Sequence, residues 1–135
     1  MLRPVLPRRR FDFGYLAASA SQSVTLQPAI DVCTAYYVQL WVRLHARDMA
    51  AGQTLTFALY NTVPAEDDAR EFVEGVFFDL TLTSASPSAV PSAVYREGSS
   101  PGPFLKLVLT ATQSSASAPP NFYADLSAVI SLRPA

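Results

Sequence analysis

The segment Tyr36–Arg47, YYVQLWVRLHAR, decides the fold, because its side chains alternate between two chemical classes. One face is aliphatic and holds Val38, Leu40, Val42 and Leu44. The opposite face holds the chain's only tryptophan and only histidine; its residues are Tyr37, Gln39, Trp41, Arg43, His45 and Arg47. A period of two is that of a β-strand with one face in the core. The sequence therefore predicts a long, half-buried strand whose other face is suited to a partner.

Shorter runs of the same kind recur along the chain with turn residues between them. The run 23–32 alternates around Pro28, which predicts an edge strand or a bulge because proline cannot donate to a ladder. We expect 54–63 to form a hairpin with the long strand across a turn at 48–52. Residues 64–71 have the chemistry of one short helical turn, with Thr62 as a candidate cap. Further strands are predicted at 75–83, 93–96, 104–113 and 121–133.

About seven strands with no alternating helix pattern indicate the fold class. We predict an all-β protein: an antiparallel β-sandwich of seven to eight strands, either a jelly roll or immunoglobulin-like. The residues expected to face inward from the later strands are Leu55, Phe57, Leu59, Val76, Phe78, Leu80, Leu82, Leu105, Leu107, Leu109, Phe122, Ala124, Leu126, Ala128, Ile130 and Leu132.

The composition narrows the class of protein further. A chain of 135 residues fits one domain, and 50% hydrophobic against 16% charged residues suggests that some apolar surface is buried against other subunits. No apolar run approaches the roughly 20 residues of a membrane helix, and no apolar segment of a secretory signal follows the basic N-terminus. Cys33 is the only cysteine, so an intrachain disulfide is excluded, and we expect it to be a small buried group.

The N-terminal segment differs in charge from the rest of the chain. Four of the ten basic residues lie in the first ten positions, at Arg3, Arg8, Arg9 and Arg10. Prolines at positions 4 and 7 disfavour a helix there. We therefore expect residues 1–15, including Phe11 and Phe13, to form an extended basic arm outside a single sandwich domain at 16–135. The acidic body argues against a nucleic-acid partner and favours a protein with carboxylates that pair with arginine.

The residues for catalysis or metal binding are largely missing. His45 is the only possible histidine base, and no G-x-S-x-G nucleophile motif accompanies it. Cys33 is expected to lie far from His45 along the strand. No set of zinc ligands, calcium-loop pattern or phosphate-binding glycine motif is present. We therefore expect no enzyme activity, no catalytic residues, no bound metal and no cofactor.

Three interpretations remain for the outer face formed by Tyr37, Trp41, Arg43, His45 and Arg47. It could be an interface with another protein, since these residue types are enriched at interfaces. It could be covered within the chain by the N-terminal aromatic residues. It could also stack on sugars, which makes a carbohydrate- or ligand-binding module the alternative function; that function requires Trp41 and Tyr37 to be exposed and coplanar.

A basic, proline-containing arm, a compact β-sandwich, Ser/Ala/Pro loops and no catalytic set resemble the decoration or cement proteins of tailed-phage capsids. The resemblance is architectural and rests on no specific motif. It implies a structural protein of the virion, assembled in the bacterial cytoplasm, that forms homo-oligomers, with trimers favoured, and binds a capsid shell. By that analogy, Arg3, Arg8, Arg9 and Arg10 would clamp a neighbouring subunit, and Trp41 and its neighbours would form a contact surface.

Overall fold

The protein is an all-β sandwich in the computed structural model, which describes residues 1–63, 72–114 and 121–135. The prediction of a short helical turn at 64–71 lies outside these residues. Eight strands make up the described part of the chain. They are β1 (Leu2–Asp12), β2 (Ala20–Asp31), β3 (Tyr37–Asp48), β4 (Gln53–Val63), β5 (Phe72–Leu82), β6 (Ser92–Ser99), β7 (Phe104–Gln113) and β8 (Tyr123–Arg133).

The strands form two four-stranded antiparallel sheets. Sheet A has the order β1-β8-β3-β6 and sheet B the order β2-β7-β4-β5. The pairs β4–β5, β3–β6, β2–β7 and β1–β8 are nested, as if one long hairpin had been rolled up over itself. This is the topology of a jelly roll. The predicted β-sandwich is confirmed.

The core lies between the sheets and is built from the aliphatic face of each strand. Leu40 and Leu44 of β3, Phe57 of β4 and Leu107 of β7 are all fully buried. Burial of one such side chain contributes roughly 1.5–3 kcal/mol to folding. The inward positions predicted for β3, β4, β7 and β8 are confirmed. Val76 of β5 is an exception: it is exposed, because a register shift between Leu59 and Tyr60 reverses the alternation of β5.

The predicted hairpin between β3 and β4 is wrong. β3 lies in sheet A and pairs with β6 and β8, whereas β4 lies in sheet B and pairs with β5 and β7. The turn at 49–52 carries the chain from one sheet to the other, with the amide of Gln53 bonded to the carbonyl of Ala50 and Gly52 at a φ of 88°. A short turn shows that two strands follow each other in the sequence, but it does not show that they pair in the same sheet.

The N-terminal segment is not an arm outside the core, contrary to the prediction. Residues 2–12 form β1, which pairs with β8 along the edge of sheet A, and Val5 and Leu6 are buried. An edge strand tolerates proline because it pairs on one side only. On its open side, an N–H group has no partner strand to bond to. Two irregularities in register, between Pro4 and Leu6 and between Leu6 and Arg9, accommodate Pro4 and Pro7.

Candidate docking face on sheet A

A row of apolar side chains crosses the outer face of sheet A, the face that points away from sheet B. Directly opposed residues of antiparallel strands share a face, and the register places Pro4 beside Val129, Val129 beside Trp41 and Trp41 beside Tyr95. These four residues form the apolar stripe, which runs across all four strands. Leu2, on the same edge strand, is 71% exposed, Tyr95 54% and Val129 36%. The stripe is therefore open to contact.

Two aromatic rings form one end of the stripe. The rings of Trp41 and Tyr95 stack with their centroids 4.4 Å apart and their planes inclined by 19°. Stacked aromatic pairs are worth about 0.5–1.5 kcal/mol beyond the area they bury. The strand pairing and the stack together hold both rings in place, so the stripe offers a rigid aromatic surface.

A polar chain borders the stripe on one side and orients the indole. Trp41 donates its Nε1–H to Oε1 of Gln39 at 3.1 Å, and Gln39 donates its amide to Glu97 at 3.3 Å. Arg133 donates to the same Glu97 oxygen at 3.1 Å. The chain fixes the amide orientation of Gln39, because its oxygen accepts from the indole while its nitrogen donates to the carboxylate.

A hollow of about 450 Å³ borders the stripe on the other side. Its polar lining is Arg43, His45 and Ser127, and its apolar lining includes Leu2 and Trp41. A ring nitrogen of His45, Nε2, lies 2.8 Å from the hydroxyl oxygen of Ser127. The ion pairs among described residues use the arginines of β1, β6 and β8, and Arg43 takes part in none of them. The hollow thus combines an apolar wall with an exposed guanidinium available to an anion.

The basic residues of β1 are partly neutralised by neighbours on the same sheet. Arg8 donates through Nε and NH2 to one oxygen of Asp125, at 3.0 and 2.9 Å. The hydrogen bonds from Arg8, with its positive charge, lower the pKa of Asp125, and the same bonds, with the negative charge of Asp125, raise the pKa of Arg8. Arg10 places its guanidinium 3.8 Å from the ring centroid of Tyr123. Both contacts hold the guanidinium groups of β1 against the neighbouring strand β8.

The structure brings together three of the five residues predicted for the outer face. Trp41, Arg43 and His45 all line the hollow. Tyr37 lies at the far end of β3 and packs edge-on against Tyr36, at an interplanar angle of 85°. Its ring contact is with Tyr36, whereas the ring contact of Trp41 is with Tyr95.

Arg47 is the fifth predicted residue, and the structure turns it to the inner face. A bulge between Leu44 and Ala46 shifts the register of β3, so that Arg47 lies opposite the buried Ala124. Its guanidinium donates to the carbonyl of Thr83 at 2.9 Å, which connects the two sheets at the end of the sandwich. The prediction that Arg47 belongs to the outer face is wrong.

The predicted arm residues are distributed over the edge strand and the core. Phe11 and Phe13 are buried, and Phe13 packs on Phe122 with ring centroids 5.7 Å apart. They do not cover Trp41, so the interpretation in which the N-terminal aromatics shield the outer face is wrong. Arg9 stacks on Phe11 at 4.6 Å, while Arg3 is half-buried.

Cys33 is exposed, contrary to the prediction that it is buried. It follows β2 in a loop, where its amide donates to the carboxylate of Asp31 at 3.1 Å. A side-chain hydrogen bond to Asp31, together with that residue's negative charge, raises the pKa of the Cys33 thiol. The thiolate is therefore disfavoured, which lowers the reactivity of this cysteine as a nucleophile.

Sequence reasoning missed Leu2, Pro4, Tyr95 and Val129 as members of the face. The alternation of β8 placed Val129 outward, which was a usable signal. The register that aligns these residues with Trp41 depends on pairing between distant strands, which no local pattern encodes. Among the described residues, no group of three or more His, Cys, Asp or Glu could hold a metal ion, and no helix could cross a membrane.

No protein-family model matches the chain, and no curated protein matches its sequence at a significant level. The fold is similar to that of the VP2 subviral particle of infectious bursal disease virus, with a TM-score of 0.58 and 14% identity over 96% of this chain. The match to the structure of the Gx strain of that virus has a TM-score of 0.57 and 15% identity, and it also covers 96% of this chain. The chain spans 31% of each of those viral chains. The likeness is one of fold: an antiparallel β-sandwich that also occurs in structures of a virus.

A third solved structure is a carbohydrate-binding module from the lichenase 5A of Cellvibrio mixtus, in complex with cellotriose. It has a TM-score of 0.46 and 9% identity, and the match covers 97% of this chain and 91% of that chain.

Proposed function

We propose that this protein is a non-enzymatic structural protein of a virus particle, and that it docks onto neighbouring proteins through the outer face of sheet A. The observation that carries the proposal is the exposed apolar stripe with polar residues on both sides. An apolar centre inside a polar rim is the ordinary arrangement of a protein interface. Trp, Tyr and Arg, which occur here as Trp41, Tyr95 and Arg43, are the residue types that dominate binding energy at interfaces.

In its finer form, the proposal is that the protein decorates or cements a capsid shell of the tailed-phage type and resides in the virion, assembled in the bacterial cytoplasm. The fold likeness to viral particle structures is compatible with that role. The basic segment acts in it as an edge strand and not as a free clamp. β1 supplies Leu2 and Pro4 to the face, while Arg8 and Arg10 lie along its margin.

The partners in this proposal are other copies of the chain and a larger protein shell. A half-buried tryptophan beside Arg43, which forms no ion pair with another described residue, suits a surface that buries an apolar side chain and a carboxylate of the neighbour. The trimer implied by the resemblance to decoration proteins is retained as the expected oligomeric state of the protein on the shell. The mass of the protein released from particles under mild conditions measures that oligomeric state.

The test is incorporation into particles. Particles are purified from the organism that carries the gene, and peptides of this chain are quantified against the major shell protein. The matched variants are Trp41→Ser on the docking face and Tyr60→Ser on the outer face of sheet B. We expect wild type and Tyr60→Ser to be incorporated to the same extent and Trp41→Ser to fall at least tenfold.

Two results would contradict the proposal. Absence of the wild-type chain from purified particles would overturn the virion role. Equal incorporation of Trp41→Ser and wild type would show that docking, if present, uses another face.

The alternative function is a carbohydrate- or ligand-binding module, favoured by the hollow beside the Trp41–Tyr95 stack. Because Trp41 is the only tryptophan, a soluble glycan that enters the hollow changes the intrinsic fluorescence of the protein directly. A saturable change that Arg43→Gln weakens supports this function. Unchanged fluorescence across neutral and acidic oligosaccharides argues against it.

A further inference from the structure

Each sheet of the sandwich has two edge strands, and three of these four edges carry features that discourage pairing with another chain. β1 contains Pro4 and Pro7, and β2 contains Pro28, each with irregular register. β5 has two register shifts and Gly75 at a φ of 146°. Prolines, bulges and bends are the usual means by which native sheets keep their edges from pairing.

The fourth edge, β6, has no proline and no register shift, and its single inward-pointing charge is Arg96. It pairs with β3 in unbroken register over all eight residues and contains no proline. Arg96 points towards the inner side of this edge, where it bonds to the carbonyl of Asp79 at 2.9 Å and lies 3.5 Å from its carboxylate. The charge on the inner side is thus already paired within the chain, so it opposes an incoming strand less than a free charge would.

We infer that β6 is an interaction edge, and that its partner is β6 of a second copy of this chain. Antiparallel pairing about a twofold axis joins the two A sheets into one sheet of eight strands. The contact is self-complementary, as a twofold interface requires. This inference stands independently of any role in a virus particle.

The sequence of β6 selects one register for this pairing. A continuous sheet requires facing residues to lie on the same face, so the registers differ by shifts of two. Centring the axis on Arg96 or on Glu97 places like charges directly opposite each other, which is destabilising. Centring it on Val94 pairs only five of the eight residues.

Centring the axis on Tyr95 pairs seven residues and opposes no like charges. Tyr95 then faces the partner subunit's Tyr95, and Glu97 faces the partner subunit's Ala93. Tyr95 is also the residue in which the apolar stripe ends at the sheet edge. In this register the two stripes meet end to end and form one apolar band across eight strands.

The first test uses two substitutions at one exposed edge position, Ala93, measured by sedimentation equilibrium over a wide concentration range. Ala93→Arg places a guanidinium opposite the partner subunit's Glu97 twice per dimer, and we expect the dimer dissociation constant to fall about two- to tenfold. Ala93→Glu opposes two carboxylates there and should raise the constant by a similar factor. Ser23→Arg, on the outer face of sheet B, is the control and should leave it unchanged.

A monomer at every concentration for wild type and Ala93→Arg would overturn the inference. A change of the dissociation constant in the same direction for both Ala93 variants would also overturn it. The proposed register requires that opposite charges at position 93 have opposite effects on dimerisation.

A second test measures proximity and does not depend on affinity. In a Cys33→Ser background, Tyr95→Cys places two thiols across the twofold axis, where directly opposed Cβ atoms lie about 4.5–5.5 Å apart. We expect a disulfide-linked dimer under mild oxidation. Val129→Cys lies on the same face but two strands from the edge, and it should remain monomeric. Equal cross-linking of both variants, or none of Tyr95→Cys, would contradict the proposed register.

Discussion

At Gly98, the packing leaves room for a hydrogen atom and for no larger side chain. A Cβ atom at this position would lie 2.8 Å from side-chain atoms of both Phe77 and Phe78. Those rings pack against β6 from the other sheet, so an added methyl group must displace them. We predict that Gly98→Ala lowers the free energy of unfolding by about 1–3 kcal/mol, the usual cost of overpacking.

Urea unfolding followed by tryptophan fluorescence measures this change. Ser99→Ala, at the neighbouring exposed position, is the matched control and should stay within about 0.5 kcal/mol of wild type. Wild-type stability in Gly98→Ala would mean that the two rings are free to move and that the packing of β6 is looser than described.

The Arg8–Asp125 pair predicts an acid dependence of stability. The pKa of Asp125 is lowered in the folded state, chiefly by its hydrogen bond from Arg8. A carboxylate with a lowered pKa stabilises the fold above its unfolded pKa of about 3.9, and that contribution is lost as the pH falls through the folded value. In Arg8→Met, we expect the pKa of Asp125, read by NMR titration, to rise towards the ordinary aspartate value.

The stability of Arg8→Met should also fall less steeply than that of wild type as the pH drops below about 4, because less of its stability depends on an ionised Asp125. Arg9→Met, which removes an arginine from the same strand without touching Asp125, is the control. An unchanged Asp125 pKa in Arg8→Met would show that the ion pair does not persist in solution.

At the level of elements, β1 makes the sharpest prediction. Removing residues 1–10 removes the buried Val5 and Leu6 and most of the β1–β8 ladder. Each of those side chains contributes roughly 1.5–3 kcal/mol, and whole domains are stable by only about 5–15 kcal/mol. We therefore predict a large drop in melting temperature or a failure to fold, measured by circular dichroism.

Arg3→Gln keeps the strand and changes only its charge, and we expect it to melt close to wild type. A truncated chain that melts like wild type would contradict the placement of β1. It would restore the view that the N-terminal segment lies outside the domain.

The strands were predictable where one face is aliphatic throughout. The alternation in β3, β4, β7 and β8 predicts both the strands and their buried residues, because one-sided burial imposes a period of two. β1 escaped prediction because Pro4, Pro7 and three consecutive arginines resemble a solvated segment. Only the edge position explains why that sequence can be a strand.

Bulges account for the errors in side-chain orientation. A single extra residue at His45 turns Arg47 to the inner face, and a register shift in β5 turns Val76 outward. A bulge arises from pairing with a partner strand, so a pattern read from one strand alone cannot contain it. For the same reason, sequence identified Trp41 as a surface residue but did not identify Tyr95 as its stacking partner.

At the level of the whole molecule, the two sheets present different outer surfaces. Sheet B is hydroxylated across its strands, with Ser23 bonded to Thr110 at 2.8 Å and Thr56 to Thr81 at 3.1 Å. Sheet A carries the apolar stripe and the exposed Arg43. We propose docking through sheet A because the stacked Trp41 and Tyr95 lie there, although the outer face of sheet B also exposes one apolar side chain, Val76. The sequence indicated the outer face of sheet A through Trp41 and Arg43, but its extent depends on the jelly-roll topology.

The most direct measurement of the proposed docking is hydroxyl-radical footprinting of the free protein and of the protein on purified particles. Tyr60, on the outer face of sheet B, serves as the internal control. The account predicts that oxidation of Trp41 and Tyr95 falls severalfold on the particle while that of Tyr60 stays the same. Unchanged oxidation of Trp41 and Tyr95, or protection confined to Tyr60, would contradict docking through sheet A.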